Sequence, residues 1–171
     1  QVRLGGASAQ AIAHYDLLLS DEAFRETHAP DAVVQVGGRP TSKRLMQWLE
    51  RHRPHPYVVV NETPERLDPS HHVTHRLETS VAHFAERVAA SATSWMAAWR
   101  GAHQKAETVF DVFFEDGDTL SEPLVARLVT RHLPGGHGLM LASSMPVRDV
   151  DTFGVANGPA AFVAANRGAS G

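Results

Sequence analysis

Cysteine is absent from this chain of 171 residues. That absence excludes disulfide bonds and thiolate metal sites. The sequence also lacks any apolar run near the roughly 20 residues that a helix needs to cross a bilayer. It has little excess charge, with a net charge of −3 when the histidines are neutral. We therefore expect no membrane insertion and no nucleic-acid partner, because there is no basic field to recruit a polyanion.

The first residues of the sequence do not have the pattern of a signal peptide. Gln1-Val2-Arg3-Leu4-Gly5-Gly6 has no charged segment that leads into an apolar one, so we expect no signal peptide and a cytoplasmic protein. The chain does not begin with methionine, and it opens on a glycine-rich stretch. Both features suggest a truncated or proteolytic piece of a longer protein.

The first half of the chain alternates short β-branched runs with amphipathic stretches. This rhythm predicts parallel strands joined by helices, in a doubly wound α/β sheet whose first two strands are buried. Only two or three strands precede the small polar stretch at 91–94, whereas such sheets usually have five or six, so we expect the sheet to be incomplete. Helices are predicted over 11–19, 22–27, from Thr41 or Ser42 to Pro54, and over 80–90, and strands over 32–36, 57–60 and 73–77.

The second half begins a new α/β unit. A long helix is predicted from Trp95 to Phe114, with Trp95 and Trp99 packing on one face. Asp116-Gly117-Asp118 would close this helix as solvated turn residues. A helix that begins at Ser121-Glu122-Pro123 and ends near His132, and strands over 138–142 and 160–165, complete the pattern.

Hydroxyl and cationic side chains follow the strand predicted at 138–142. Ligands of open α/β sheets bind outside the carboxyl ends of the strands, and the planar guanidinium of Arg148 suits a carboxylate. A structural alternative stays open, in which Ser144 caps a short helix and Arg148 pairs with Asp149 or Asp151. The run is Ser143-Ser144-Met145-Pro146-Val147-Arg148-Asp149.

Two other stretches could hold an anion. Asn166-Arg167-Gly168-Ala169-Ser170-Gly171 follows the last predicted strand, and its small residues would let a ligand approach the backbone closely. Gly37-Gly38-Arg39-Pro40-Thr41-Ser42-Lys43-Arg44 places cations at a helix N-terminus, but its glycine spacing fits neither a Walker A loop nor a dinucleotide fingerprint. A plain glycine turn and a capped helix with a solvated basic first turn remain open for these stretches.

The chain has 11 histidines, which raises the question of a metal site. His71 and His75 are four residues apart, a spacing that suits two zinc ligands on a helix. However, Pro69 and the β-branched pair Val73-Thr74 disfavour a helix there, and no HExxH glutamate is present. We therefore expect no metal ligand in this chain.

Four stretches, taken in order, resemble the family of 2-succinyl-5-enolpyruvyl-6-hydroxy-3-cyclohexene-1-carboxylate (SEPHCHC) synthase of menaquinone biosynthesis. They span nearly the whole chain, and the last is the most specific. They are Val33-Val34-Gln35-Val36-Gly37-Gly38 with Thr41-Ser42-Lys43-Arg44-Leu45, then Arg66-Leu67-Asp68-Pro69-Ser70-His71-His72, then 143–149, then 166–171.

The resemblance implies a three-domain, thiamine-diphosphate-dependent subunit. Residues 1–90 would be the later part of its central, nucleotide-binding-like domain, and 91–171 a linker with the opening part of its diphosphate-binding domain. The glutamate that activates the cofactor, and the segment that binds its diphosphate with Mg²⁺ or Mn²⁺, would lie outside the chain. No catalytic residue is therefore expected here. The implied substrate-binding residues are Lys43, Arg44, Ser144, Arg148 and Arg167, and the implied cofactor-binding residues are Gly168, Ala169, Ser170 and Gly171.

The implied reaction decarboxylates 2-oxoglutarate and adds the resulting carbanion to isochorismate, in a homodimer or homotetramer. The chain alone would bind no cofactor and show no turnover. Two alternatives stay open. The first half could be a non-catalytic module that binds a regulatory aromatic acid through cations such as Lys43 and Arg44. The longer protein from which this chain comes could also be another thiamine-diphosphate carboligase or decarboxylase.

Overall fold

The computed structural model describes residues 11–64, 68–89, 94–115, 119–155 and 158–166, and the chain divides into two compact units. We call Leu18–Thr93 the inner unit because, in the sequence, it lies between the two segments of the other unit; Gln1–Leu17 with Ser94–Gly171 is called the outer unit. Among the described residues, no helix is long and apolar enough to span a membrane. The elements are α1 (Tyr15–Leu18), α2 (Glu22–Thr27), β1 (Val33–Val36), α3 (Lys43–His52), β2 (Tyr57–Asn61), β3 (His75–Glu78), α4 (Val81–Ala85), α5 (Ser94–Glu115), α6 (Glu122–His132), β4 (Gly138–Leu141), α7 (Met145–Phe153) and β5 (Phe162–Ala165).

The inner unit is built on a parallel sheet in the order β1-β2-β3. The central strand β2 is the most buried of the three, and Tyr57, Val59 and Val60 are its core residues. The outer unit holds a second parallel pair, β4 with β5. These parallel strands and their intervening helices confirm the predicted α/β class.

Strand β1 is less buried than its β-branched sequence predicted. Val34 is 50% exposed and Val36 is 48% exposed, whereas Val33 and Gln35 are partly covered. Because β1 lies at the edge of the sheet and its exposure alternates along the strand, only one of its faces is packed. The expectation of a buried strand was therefore wrong for β1 and right for β2.

Helix α3 joins β1 to β2 and packs through one apolar face. Ser42 is its N-cap and accepts a hydrogen bond from the backbone N–H of Leu45 at 2.9 Å. Trp48 and Leu49 are buried, and the indole N–H of Trp48 donates to the carbonyl of Arg25 at 2.8 Å. This bond ties α3 to α2 inside the inner unit.

The core of the outer unit lies where α6 and α7 pack against β4 and β5. Ala126, Leu141 and Val150 are its buried centre. Helix α5 contributes Phe110, whose ring lies 5.5 Å from that of Phe153 on α7. Trp95 and Trp99 share a face of α5 as predicted, with ring centroids 5.3 Å apart; Trp99 is 4% exposed and Trp95 is 40% exposed.

Two predicted helices are shorter in the structure. The helix predicted over 11–19 is reduced to α1, because His14 lies in a turn. The ring of His14 is fully buried and is hydrogen-bonded to the carbonyl of Thr152 at 2.8 Å. The helix predicted to reach residue 90 is only α4, since the backbone N–H of Arg87 bonds three residues back, to Phe84, and closes a turn.

The third strand begins later than predicted. The carboxylate of Asp68 accepts hydrogen bonds from the backbone N–H groups of His72 at 3.1 Å and Val73 at 3.0 Å. These bonds hold 72–73 outside the sheet, so β3 begins at His75 and not at Val73. Residues 91–93 of the predicted boundary, and the predicted turn at 116–118, lie outside the described residues.

Candidate functional site

The carboxyl ends of β4 and β5 meet at one edge of the outer unit. Leu141 pairs with Ala165, and the backbone N–H of Asn166 donates to the carbonyl of Leu141 at 3.1 Å. The side-chain oxygen of Asn166 then accepts from the backbone N–H of Ser143 at 2.9 Å. Two stretches singled out in the sequence, 23 residues apart at this bond, are thus held side by side where ligands of such sheets bind.

Ser144 has a strained backbone at this edge. Its φ is 74° and its ψ is −127°, a combination that residues with a side chain rarely adopt. It occupies the N-cap position of α7, but its hydroxyl makes no capping bond. The alternative in which Ser144 caps the helix is therefore wrong. Non-glycine residues in such conformations cost on the order of 1–3 kcal/mol and cluster at ligand sites.

Arg148 is exposed and lies near the N-terminal end of α7. Within the described residues it makes no ion pair with Asp149 or Asp151, which was the structural alternative for this side chain. Asp151 instead accepts a hydrogen bond from the hydroxyl of Tyr15 at 3.0 Å. Burial, and then the nearby charge of Glu122, raise the pKa of the Asp149 carboxyl.

Helix α7 adds a partial positive charge at the same edge, because its N-terminus follows the end of β4 after a short loop. An exposed guanidinium, a serine hydroxyl and a helix N-terminus together suit a carboxylate. The donor set is therefore appropriate for an anionic ligand. The other predicted residues of this edge, Arg167, Gly168, Ala169, Ser170 and Gly171, lie outside the described residues.

The remaining predicted site residues, Lys43 and Arg44, lie in the inner unit. Both are exposed in the first turn of α3, after the turn that closes β1. Gly37 forms that turn with φ 78°, and its N–H donates to the carbonyl of Val60 at 2.9 Å. Arg44 lines a shallow cleft together with Arg25, Gln47, Trp48 and Arg51.

A polar cluster in the outer unit was not anticipated. His14, which is fully buried, contacts Glu107 on α5, with 2.7 Å between Nε2 and Oε1. Arg127 on α6 is 2% exposed and donates to Glu107 at 2.5 Å and to Asp111 at 2.8 Å. Arg131 also donates to Asp111, at 2.6 Å.

Charge pairing shifts the pKa values of this cluster. Burial acts to raise the pKa of Glu107, but its hydrogen bonds with His14 and Arg127 outweigh this effect and lower that pKa to about 2. Hydrogen bonds from Arg127 and Arg131 lower the pKa of Asp111. The only local signal was the spacing of His103 and Glu107, four residues apart on one helix, since their partners are remote in sequence.

The sequence of the chain matches a known protein family. Residues 3–141 match the family model described as "Middle domain of thiamine pyrophosphate". The chain belongs to this family. The match includes the whole inner unit and continues into the outer unit as far as the end of β4.

Individual relatives carry more specific names. A SEPHCHC synthase of Rubrobacter xylanophilus is 46% identical over 176 residues, which cover 100% of this chain and 31% of that relative. A SEPHCHC synthase of Salinibacter ruber is 40% identical over 178 residues, covering 100% of this chain and 30% of the relative. Protein PHYLLO, chloroplastic, of Arabidopsis thaliana is 37% identical over 148 residues, which cover 82% of this chain and 8% of that protein. The chain thus spans a little under a third of the length of the two synthases.

Proposed function

We propose that this chain forms the carboxylate-binding side of the active site of SEPHCHC synthase, a transferase of menaquinone biosynthesis. The complete enzyme would decarboxylate 2-oxoglutarate and join the remaining four-carbon unit to isochorismate. The observation that carries the proposal is the edge where β4 and β5 end. There Asn166 holds the loop of Ser144, and the exposed Arg148 follows in α7. The names of the aligned synthases support the same reaction.

The proposed substrates explain the chemistry of this edge. Both are dicarboxylates, and a site for them needs several fixed hydrogen-bond donors. Arg148 offers a two-pronged contact to a carboxylate, worth roughly 1.5–3 kcal/mol net. The Ser144 hydroxyl and the amide N–H groups that begin α7 orient the same anion. When bound, thiamine diphosphate supplies the carbanion chemistry; the residues of this chain bind and orient.

The proposal includes further residues that the sequence singled out. Lys43 and Arg44, exposed at the start of α3, and Arg167 would contact substrate carboxylates. Residues 168–171 would lie against the cofactor. Residues 1–90 would belong to the central domain and 91–171 to the linker and the diphosphate-binding domain. The complete enzyme would be a cytoplasmic homodimer or homotetramer that uses Mg²⁺ or Mn²⁺. This chain alone would not catalyse the reaction.

Substitution of Arg148 in the intact enzyme tests the substrate side. Arg148→Ala should lower kcat/KM by about two orders of magnitude, because one charge-assisted contact of roughly 3 kcal/mol is lost. Arg148→Lys, which keeps the charge but not the planar fork, should recover only part of this loss. Arg100→Ala removes another exposed arginine of the outer unit and should leave the kinetics unchanged. Kinetics of Arg148→Ala close to those of the wild type would remove Arg148 from the site.

A second candidate function rests on the cleft of the inner unit. Arg25, Arg44 and Arg51 lie around the indole of Trp48 there, a combination that suits an aromatic carboxylate. The inner unit would then also bind a regulatory aromatic acid. Calorimetric titration of a naphthoate into the chain, compared with the Arg44→Ala variant, tests this function. A flat titration of the wild-type chain would count against it.

A further inference from the structure

Three potential metal ligands converge inside the outer unit. His14, His103 and Glu107 each offer one ligand atom, and these atoms all lie within 4.8 Å of one another. His14 is fully buried, and the other two residues are partly buried. His103 and Glu107 are four residues apart on α5, so both side chains project from the same face of that helix.

The hydrogen bonds of His14 orient its ring toward such a site. Its Nδ1 lies 2.8 Å from the carbonyl of Thr152, and because a carbonyl oxygen only accepts, this nitrogen carries a proton. In the neutral ring, Nε2 then carries a lone pair and no proton, and this nitrogen lies 2.7 Å from Oε1 of Glu107. Two acceptors at this distance need a second proton or a cation between them.

The side chains of the candidate ligands make the additional hydrogen bonds that usually hold metal ligands in place. A metal-binding histidine usually donates its other ring N–H to a carbonyl, as His14 does to Thr152. A metal-binding carboxylate is usually hydrogen-bonded in turn, and Glu107 accepts at Oε2 from Arg127. Arg127 also donates to Asp111, so part of its positive charge is balanced by a second carboxylate.

We propose that His14, His103 and Glu107 form a Zn²⁺ site in the outer unit. Two imidazoles and one carboxylate are a ligand set that zinc favours, with water in the fourth position. Zinc bonds of about 2.0–2.1 Å at tetrahedral angles would separate the His14 and Glu107 ligand atoms by roughly 3.3 Å. The distance between these two atoms is 2.7 Å in the structure, and a rotation of the flexible Glu107 side chain would increase it to this value. The ion would join the turn before α1 to α5.

Zinc binding by the complete 171-residue chain tests the proposal. After removal of metals with EDTA, calorimetric titration with Zn²⁺ should show one site per chain, and Co²⁺ should give the visible absorption of a four-coordinate ion. His103→Gln keeps the size and polarity of the side chain but removes the ligand, so its affinity for zinc should fall at least about tenfold. Zinc should raise the thermal midpoint of the wild type but not that of His103→Gln.

A double variant, His71→Ala with His75→Ala, is the matched control. These two histidines are also four residues apart, but both are exposed and lie in the inner unit. The control should bind zinc as the wild type does. Equal zinc affinity in the wild type and in His103→Gln would overturn the proposal, and so would loss of binding in the control. Either result would leave the contact between His14 and Glu107 as a structural contact without a metal ion. None of these measurements depends on synthase activity.

Discussion

Replacing Arg127 by methionine probes the charge network of the outer unit. Its guanidinium donates to Glu107 at 2.5 Å, to Asp111 at 2.8 Å and to the carbonyl of Phe153 at 3.2 Å. The side chain is 2% exposed, so methionine fills similar space without supplying a donor. The substitution therefore leaves a partly buried carboxylate with one cationic partner fewer.

The expected loss of stability follows from two considerations. Removing one member of a buried ion pair typically costs about 3–5 kcal/mol. Glu107 has a pKa of about 2 where 4.5 is its usual value, which corresponds to roughly 3 kcal/mol of stabilisation at pH 7. Since His14 still contacts Glu107 in the variant, we expect a loss of about 3 kcal/mol, at the lower end of the range.

The loss should depend on pH. A carboxyl whose pKa is lower in the folded state stabilises the fold above its unfolded pKa, and this stabilisation disappears as the pH falls through the folded pKa. For Glu107 this window runs from about pH 4.5 down to about pH 2. The difference between the wild type and Arg127→Met should therefore be largest near neutral pH and shrink across this window.

Urea unfolding of the metal-free chain, prepared with EDTA, measures both the loss of stability and its dependence on pH. In a Trp48→Phe background, the remaining tryptophans, Trp95 and Trp99, both report on the outer unit. Arg131→Met is the matched control, because Arg131 also bonds Asp111 but is 42% exposed, and its loss should cost under about 1 kcal/mol. Equal losses for Arg127→Met and Arg131→Met, or a loss unchanged between pH 7 and pH 2.5, would refute the reasoning.

Two other predictions concern single side chains. Ser42→Ala should lower the stability of the inner unit by about 1 kcal/mol, because the capping bond to Leu45 is lost, whereas Thr41→Ala should have little effect; urea unfolding followed by Trp48 fluorescence measures both. Asp149→Asn should raise the thermal midpoint at pH 7 and not at pH 3, because a carboxyl with a raised pKa disfavours the fold only when ionised. A lower midpoint at pH 7 would contradict this second expectation.

Helix starts could be predicted from the sequence because their signals are local. Asp21, Ser42 and Ser121 each precede a helix, and each side chain accepts a hydrogen bond from a backbone N–H three residues on. All participants lie within one turn of chain, so the pattern of residue types contains the whole interaction. For this reason α2, α3 and α6 begin where the sequence predicted.

Features that depend on remote contacts could not be predicted in this way. The burial of β1 depends on its position at the edge of the sheet, which no local pattern encodes. The turn at His14 is held by partners 93 and 138 residues away, so its apolar neighbours predicted a helix instead. The buried cluster around Arg127 escaped prediction for the same reason.

The candidate site contains both features that the sequence predicted and features that it did not. The position of Ser144 and Arg148 at a strand end followed from the sequence, because ligands of parallel sheets bind there. The strained backbone of Ser144 did not, since serine favours a conventional cap at such a position. Nor did the bond from the Ser143 N–H to Asn166, which joins the ends of two strands.

The strain at Ser144 bears on the function of this edge. A φ of 74° with ψ −127° is a conformation that glycine adopts without steric cost. Serine accepts that cost at a position where its hydroxyl makes no capping bond, so helix capping does not explain the side chain. Burial does not explain it either, because Ser144 is exposed. The strained serine between the end of β4 and the exposed Arg148 is therefore the expected consequence of the carboxylate site that we propose at this edge.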